Sequence, residues 1–245
     1  MILIGITGPI GHGKSTLAHF LAELEPTAKI FESSEVISDV ASELNTFMAE
    51  DQPNTGNIES INTWLSHLPT ILSSKLGGSY SPEVFVITKE NIASAPRDYE
   101  KLFEYIDLVQ TNPGLVKTPI TQENKAAYRA ILQWIGGLCV THIRRTIWNE
   151  ELIRRANRSG STIAILGGVR FAEEAQNVKD QGGIVIGIER PNTQNQDSDD
   201  PTERERSSII VDTTVVNDGD MAALKDKAKL IFSAVTSRQN LHTRY

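Results

Sequence analysis

The chain has 245 residues, 24 Lys and Arg against 31 Asp and Glu for a formal charge of −7, and a hydrophobic content of 39%. That length suits one large domain or two small ones; the apolar content excludes a disordered chain, and the acidic balance excludes a protein that coats nucleic acid polymers. A single cysteine, Cys139, excludes an intramolecular disulfide and a thiolate metal cluster, which points to a reducing, cytoplasmic setting.

Residues 2–7 are apolar and β-branched, have no basic residues before them, and run into glycines rather than a cleavage site, so they read as a strand and not a signal peptide. No other apolar run approaches the roughly 20 residues that cross a bilayer, so no membrane partner is expected. The glycine-rich loop Gly8-Pro9-Ile10-Gly11-His12-Gly13 follows, then a helix from Lys14 with Leu17, Phe20, Leu21 and Leu24 at helical spacing. A second short strand over 28–32 leads into a helix opened by Ser33-Ser34 and continuing to about Ala49. Between 58 and 120 the pattern predicts a helix around Ile61–Leu68, an apolar run Val84–Ile87 and a helix from Arg97 to Val109. Residues 122–158 read as one or two helices with an interruption at Gly136-Gly137. Thereafter strands at 162–166, 184–189 and about 213–216 alternate with helices at 171–180 and from 220 to about 239. Such alternation predicts an α/β three-layer sandwich, a central parallel sheet flanked by helices.

Gly8-x-x-x-x-Gly13-Lys14-Ser15 satisfies the P-loop pattern in its required context, between a strand and a helix. Glycines let the backbone turn its N–H groups inward around a polyphosphate, and the helix N-terminus adds a positive dipole end. On this reading Gly11, His12, Gly13, Lys14, Ser15 and Thr16 bind ATP: Lys14 reaches the β- and γ-phosphates and Ser15 ligates Mg²⁺. His12 contributes through its backbone more than its imidazole. No Asn-Lys-x-Asp guanine motif is present, and neither Val86-Ile87-Thr88 nor Leu166-Gly167-Gly168 ends in an acid as a motor ATPase strand would. Small-molecule kinases remain.

Phosphoryl transfer needs guanidinium groups around the transferring phosphoryl. Residues 141–158 carry Arg144, Arg145, Arg154, Arg155 and Arg158. The last three read as a solvated helix face, and Arg144 and Arg145 divide evenly between surface and function. Arg170, just past the 162–166 strand, lies at the sheet edge where α/β proteins bind ligands and is the stronger candidate. Ser33 and Asp39 follow the second strand, and Gln133 is a polar residue in an apolar stripe, read either as a base contact or as a satisfied core amide. Ser33 is equally explained as a helix cap.

Tyr128–Trp148 with its Arg144-Arg145 pair, Gly168-Val-Arg-Phe-Ala-Glu-Glu-Ala175, Gly182–Pro191 and Asn217-Asp218-Gly219 together resemble the deoxynucleoside monophosphate kinases of phages and bacteria. With the P-loop, the resemblance covers about the first 25 residues and most of 121–240. It implies a nucleoside-monophosphate-kinase-like P-loop fold over 1–245, with a helical acceptor-binding insertion at about 33–120 and a lid or loop at about 192–212. It further implies ATP with Mg²⁺ as donor and a deoxynucleoside monophosphate as acceptor. Lys14, Arg170 and Arg145 are then the catalytic candidates, and Ser33, Asp39, Gln133 and Arg144 the acceptor contacts; a homodimer is compatible with this reading. The chain departs from the family pattern at Gly168, where an Asp is usual, and at Gly136-Gly137-Leu138, where a Gly-Thr-Glu-like run is usual. A substitute acid such as Asp39, a different acceptor, or a nucleotide-binding regulatory protein on a degenerate kinase scaffold would each account for the first departure. A kinase of a non-nucleotide metabolite is a further alternative.

Overall fold

The structure, a computed structural model, describes residues 1–191 and 205–242. The acidic stretch containing Asp197, Asp199, Asp200 and Glu203 lies outside the described residues, as does most of the expected lid. Strand β1 (Ile2–Thr7) is buried along its whole length, as a strand covered on both faces must be, which explains its unbroken apolar sequence. Around it β2 (Lys29–Glu32), β3 (Ile163–Gly167), β4 (Ile184–Glu189) and β5 (Thr213–Val216) form a five-stranded sheet in the order β2-β3-β1-β4-β5. Every pairing is parallel, with Ile6 opposite Gly167 on one side and Ile186 on the other, and Glu32 opposite Gly167.

Because side chains alternate along a strand, Ile2, Ile4 and Ile6 share one face with Ile163, Ile165, Ile186 and Ile188. These residues form one core with Leu17, Ala18 and Leu21 of α1 (Lys14–Ala22) and Leu224, Ala228 and Val235 of the closing helix α11 (Met221–His242). α1 lies across β1, β3 and β2. On the opposite face α10 (Ala172–Asp180) packs on β1 and β4. Gly5 makes room there: a Cβ would stand 3.3 Å from Val178. This sheet, Met1–Ser33 with Trp148–Tyr245, is one of two compact units.

The other unit, Ser34–Ile147, is helical. It holds α2 (Ser33–Asn45, whose first residue belongs to the sheet unit), α3 (Met48–Asp51), α4 (Ile58–Leu65), α5 (Leu68–Leu76), α6 (Lys89–Ser94), α7 (Pro96–Thr111) and α8 (Arg129–His142). Two expectations are corrected here. The helix begun at Ser33 does not reach Ala49, because the Trp64 indole donates to the Leu44 carbonyl at 2.9 Å and Thr46 folds its hydroxyl onto the Glu43 carbonyl at 2.7 Å. The apolar run at 84–87 takes the form of a 3-10 turn at Pro82–Phe85, after which the Asn62 amide bonds both the N–H and the C=O of Ile87, at 2.8 Å each. α8 continues through Gly136-Gly137, where a Cβ on Gly136 would stand 3.2 Å from Ile37 of α2. That glycine serves close helix packing. The break falls later, at 143–146, before α9 (Ile147–Arg158).

Among the described residues no helix is long and apolar enough to cross a membrane. Trp64 is fully buried and ends α2 from 20 residues away, so Trp64→Phe leaves the Leu44 carbonyl without its indole donor. Thermal or denaturant unfolding should show a loss of about 1–3 kcal/mol for that variant.

Candidate active site at the P-loop

The loop between β1 and α1 is shaped by three glycines that nothing larger could replace. A Cβ on Gly8 would stand 2.3 Å from the Ile188 carbonyl oxygen of β4. Gly11 and Gly13 have φ of +79° and +102°, and a Cβ on Gly13 would stand 2.7 Å from the Asn217 amide nitrogen. The loop is held from the ends of two other strands. Arg190, just past β4, donates its backbone N–H to His12 Nδ1 at 2.9 Å, and Asn217, just past β5, donates to the His12 carbonyl at 3.0 Å. The imidazole of His12 is thus a structural part of the loop, 5% exposed, and burial lowers its pKa, helped by Arg206 and Lys14. Its Nδ1 accepts, so the neutral ring carries its proton on Nε2. Asn217, part of the Asn-Asp-Gly run that carries the family resemblance, is a supporting residue whose contact with the loop its sequence did not indicate.

Lys14 donates to the carbonyls of Gly8 at 2.6 Å and Pro9 at 2.8 Å, lying back along the loop it belongs to. Burial, aided by the guanidinium groups of Arg206 and Arg170, lowers its pKa to about 8. Three cationic side chains are therefore gathered at the carboxyl edge of the sheet. Glu189 offsets part of that charge at Arg206, and the gathering suits a polyphosphate. Arg206 was not singled out as a site residue in the sequence; its only signal was its place at the end of an acidic segment.

Arg170 is held by the turn after β3. Gly168 and Val169 donate their N–H groups to the Ile6 carbonyl at 3.1 and 2.9 Å. Arg170 and Phe171 donate theirs to the Glu174 carboxylate at 2.7 and 3.4 Å, leaving the Arg170 side chain exposed. Glu174 is 5% exposed, and burial pushes its pKa up to about 7 against those hydrogen bonds and the nearby Arg170 charge.

Ser15 is exposed and Thr16 half-buried in the first turn of α1. Ser33 opens α2 immediately after β2. In the helical unit Asp39 lines a cavity of about 190 Å³ together with Ser34, Glu35, Ser38, Thr121 and Lys125. Gln133 is exposed on α8, which removes its reading as a core amide. Arg144 and Arg145 are exposed in the turn between α8 and α9, not within a helix. Arg154 and Arg155 both pair with the buried carboxylate of Glu151, at 3.0 and 2.9 Å, so they stabilise α9. Of the expected residues, the sheet unit brings Lys14, His12 and Arg170 together.

A five-stranded parallel sheet flanked by helices, with a P-loop joining its central strand to the first helix, is a nucleoside-monophosphate-kinase-like α/β fold. The family model for deoxynucleotide monophosphate kinases matches residues 80–228, more than half of the chain, and the chain belongs to that family. The matched span takes in Arg170, Glu174 and Asn217 but begins after the P-loop. No curated protein matches the chain.

Glu174 gives the site a pH signature. Its folded pKa, about 7, lies above the value of an exposed glutamate, so its contribution to stability is complete in acid and is lost as pH rises through about 7. Glu174→Gln keeps an acceptor for the Arg170 N–H and cannot ionise. The melting temperature of the variant relative to wild type should therefore rise between pH 5 and pH 8, as followed by scanning calorimetry.

Proposed function

We propose that the protein transfers the γ-phosphoryl group of ATP to a deoxynucleoside monophosphate, giving ADP and the deoxynucleoside diphosphate. The observation that carries this reading is the P-loop with Lys14, Arg170 and Arg206 gathered about it, in a chain of the deoxynucleotide monophosphate kinase family. The loop N–H groups from Gly11 to Thr16 bind the donor phosphates, and Lys14 exchanges the carbonyls of Gly8 and Pro9 for β- and γ-phosphate oxygens. A phosphate oxygen of the acceptor attacks the γ-phosphorus as the bond to the ADP oxygen breaks. Arg170 meets the charge spread over the equatorial oxygens, and we assign Arg145 the same task.

Magnesium suits the donor chemistry available. Among the described residues no three His, Cys, Asp or Glu side chains are gathered into a metal cage. Mg²⁺ in such proteins is held by few protein oxygens together with phosphates and water, and the exposed Ser15 hydroxyl beside Lys14 is one such oxygen. When bound it neutralises charge on the β- and γ-phosphate oxygens. Asp39, in the cavity of the helical unit with Lys125, is our choice for holding the acceptor, with Ser33, Gln133 and Arg144 as further contacts.

Coupled detection of ADP with a panel of nucleoside and deoxynucleoside monophosphates should show acceptor-dependent turnover, reduced about 100-fold or more in Lys14→Ala. ATP binding without such turnover identifies a regulatory protein on a kinase scaffold instead. Since Lys14 titrates at about 8 without ligand, and a triphosphate favours its charged form, nucleotide binding near pH 8 takes up protons. Calorimetry in buffers of different ionisation enthalpy should register that uptake in wild type and lose it in Lys14→Ala. Asp39→Asn should raise the KM for the acceptor and leave the KM for ATP unchanged.

A further inference from the structure

The strand beside β1 is where a P-loop protein commonly keeps an acidic residue near the nucleotide's metal. Here that strand, β3, ends Leu166-Gly167-Gly168 and carries no acid. Gly168 has φ of +82°, a conformation that side chains rarely adopt, and it is committed to the turn that presents Arg170. The carboxyl edge of the sheet nevertheless has two acids at strand ends, Glu32 of β2 and Glu189 of β4. Glu189 faces His12 and Arg206, whose charges it offsets.

Glu32 lies differently. It is in register with Gly167, and a Cβ on Gly167 would stand 3.4 Å from Glu32 Cγ and 3.6 Å from its Oε1. The side chain of Glu32 thus covers the place where β3 has none. Strands are spaced about 4.8 Å apart, so the backbone of Glu32 is about 10 Å from β1, and reaching over Gly167 brings the carboxylate part of that way toward the P-loop. The face is the relevant one. Glu32, Gly167 and Ile6 share a row across the sheet, and Ile6 belongs to the core that packs on α1. α1 lies over β3 and β2 as well as β1. Its first residues, Lys14 and Ser15, start at the same edge of the sheet at which β2 ends.

We propose that Glu32 is the carboxylate that serves the nucleotide-bound Mg²⁺ in this protein, reaching over Gly167 in place of an acid at the end of β3. The inference rests on the reading of the P-loop as an ATP site. It names Glu32, which belongs to the same compact unit as the P-loop, in place of Asp39 as the substitute acid. A Cβ on Gly167 would meet Glu32 only at ordinary contact distance, so the strand lies directly beneath the side chain that crosses it.

The test is binding of a non-hydrolysable ATP analogue to the full chain, measured calorimetrically in EDTA and then in Mg²⁺. Wild type should bind more tightly in Mg²⁺. Glu32→Gln should lose about tenfold or more of that gain while its affinity in EDTA is unchanged or higher, one negative charge having left the phosphate site. Binding of Mn²⁺ with the analogue, followed by the paramagnetic resonance of the free ion, should weaken in parallel. A Gln variant that keeps the wild-type gain overturns the role of Glu32 and leaves the ATP site standing; wild type that binds no analogue overturns both. If the Gln variant does not fold, Glu32→Asp carries the test, since it keeps the charge and draws the carboxylate back by one methylene. At least half of the magnesium gain should then be lost, and an undiminished gain overturns the proposal.

Discussion

The contact on which the site depends is the one between the glycine loop and the ends of strands far from it in sequence. Gly8 sits against the Ile188 carbonyl with no room for a methyl group, His12 accepts the N–H of Arg190, and Asn217 closes over Gly13 to reach the His12 carbonyl. Within the loop the His12 N–H reaches the Pro9 carbonyl at 3.3 Å, and much of the remaining support comes from outside. β4 and β5 supply it. They do so because the sheet order places β4 directly beside β1 and β5 beyond it, which brings the ends of both strands to the loop. The loop's shape therefore depends on a residue 205 positions from His12 as well as on the motif itself.

The same edge of the sheet concentrates positive charge in a chain whose net charge is −7. Lys14, Arg170 and Arg206 repel one another, and Lys14 answers by lying along the Gly8 and Pro9 carbonyls with a depressed pKa. Preorganised charge of this kind raises the energy of the empty site and is relieved by an anion, which is how electrostatic catalysts avoid reorganising at the moment of reaction. Glu174 extends the argument one layer inward. A buried carboxylate is costly to ionise, yet it accepts both N–H groups that orient the Arg170 turn. Stability is conceded there to hold an arginine in place.

How much of this was legible in the sequence depended on whether the deciding interactions were local. The bounds of β1 and β4 followed from nearly unbroken apolar runs, because a strand covered on both faces has no alternation to disguise it. The P-loop was legible because its glycines, lysine and serine lie within one turn of chain. The end of α2 was not, since the donor that takes the Leu44 carbonyl is the indole of Trp64. Gly136-Gly137 read as a break because glycine lowers helix propensity; contact with Ile37 overrode that preference. The part that Arg206 and Asn217 play beside the loop was hidden for the same reason. Asn217 stood out as part of the Asn-Asp-Gly run, but only the sheet order makes it a neighbour of the loop.

Glu32 shows where motif reading ends. A motif records which residue type stands at a position, whereas chemistry requires only that an oxygen reach a point in space. The two glycines at the end of β3 stand in different settings: Gly168 permits the left-handed turn before Arg170, and Gly167 lies beneath the Glu32 side chain of the neighbouring strand. In the proposed arrangement, a departure from the family pattern at one position is answered by an acid more than a hundred residues earlier. Judged along the chain, an acid is missing. Judged across the sheet, a carboxylate from β2 lies over the strand that lacks one, on the face covered by the P-loop helix.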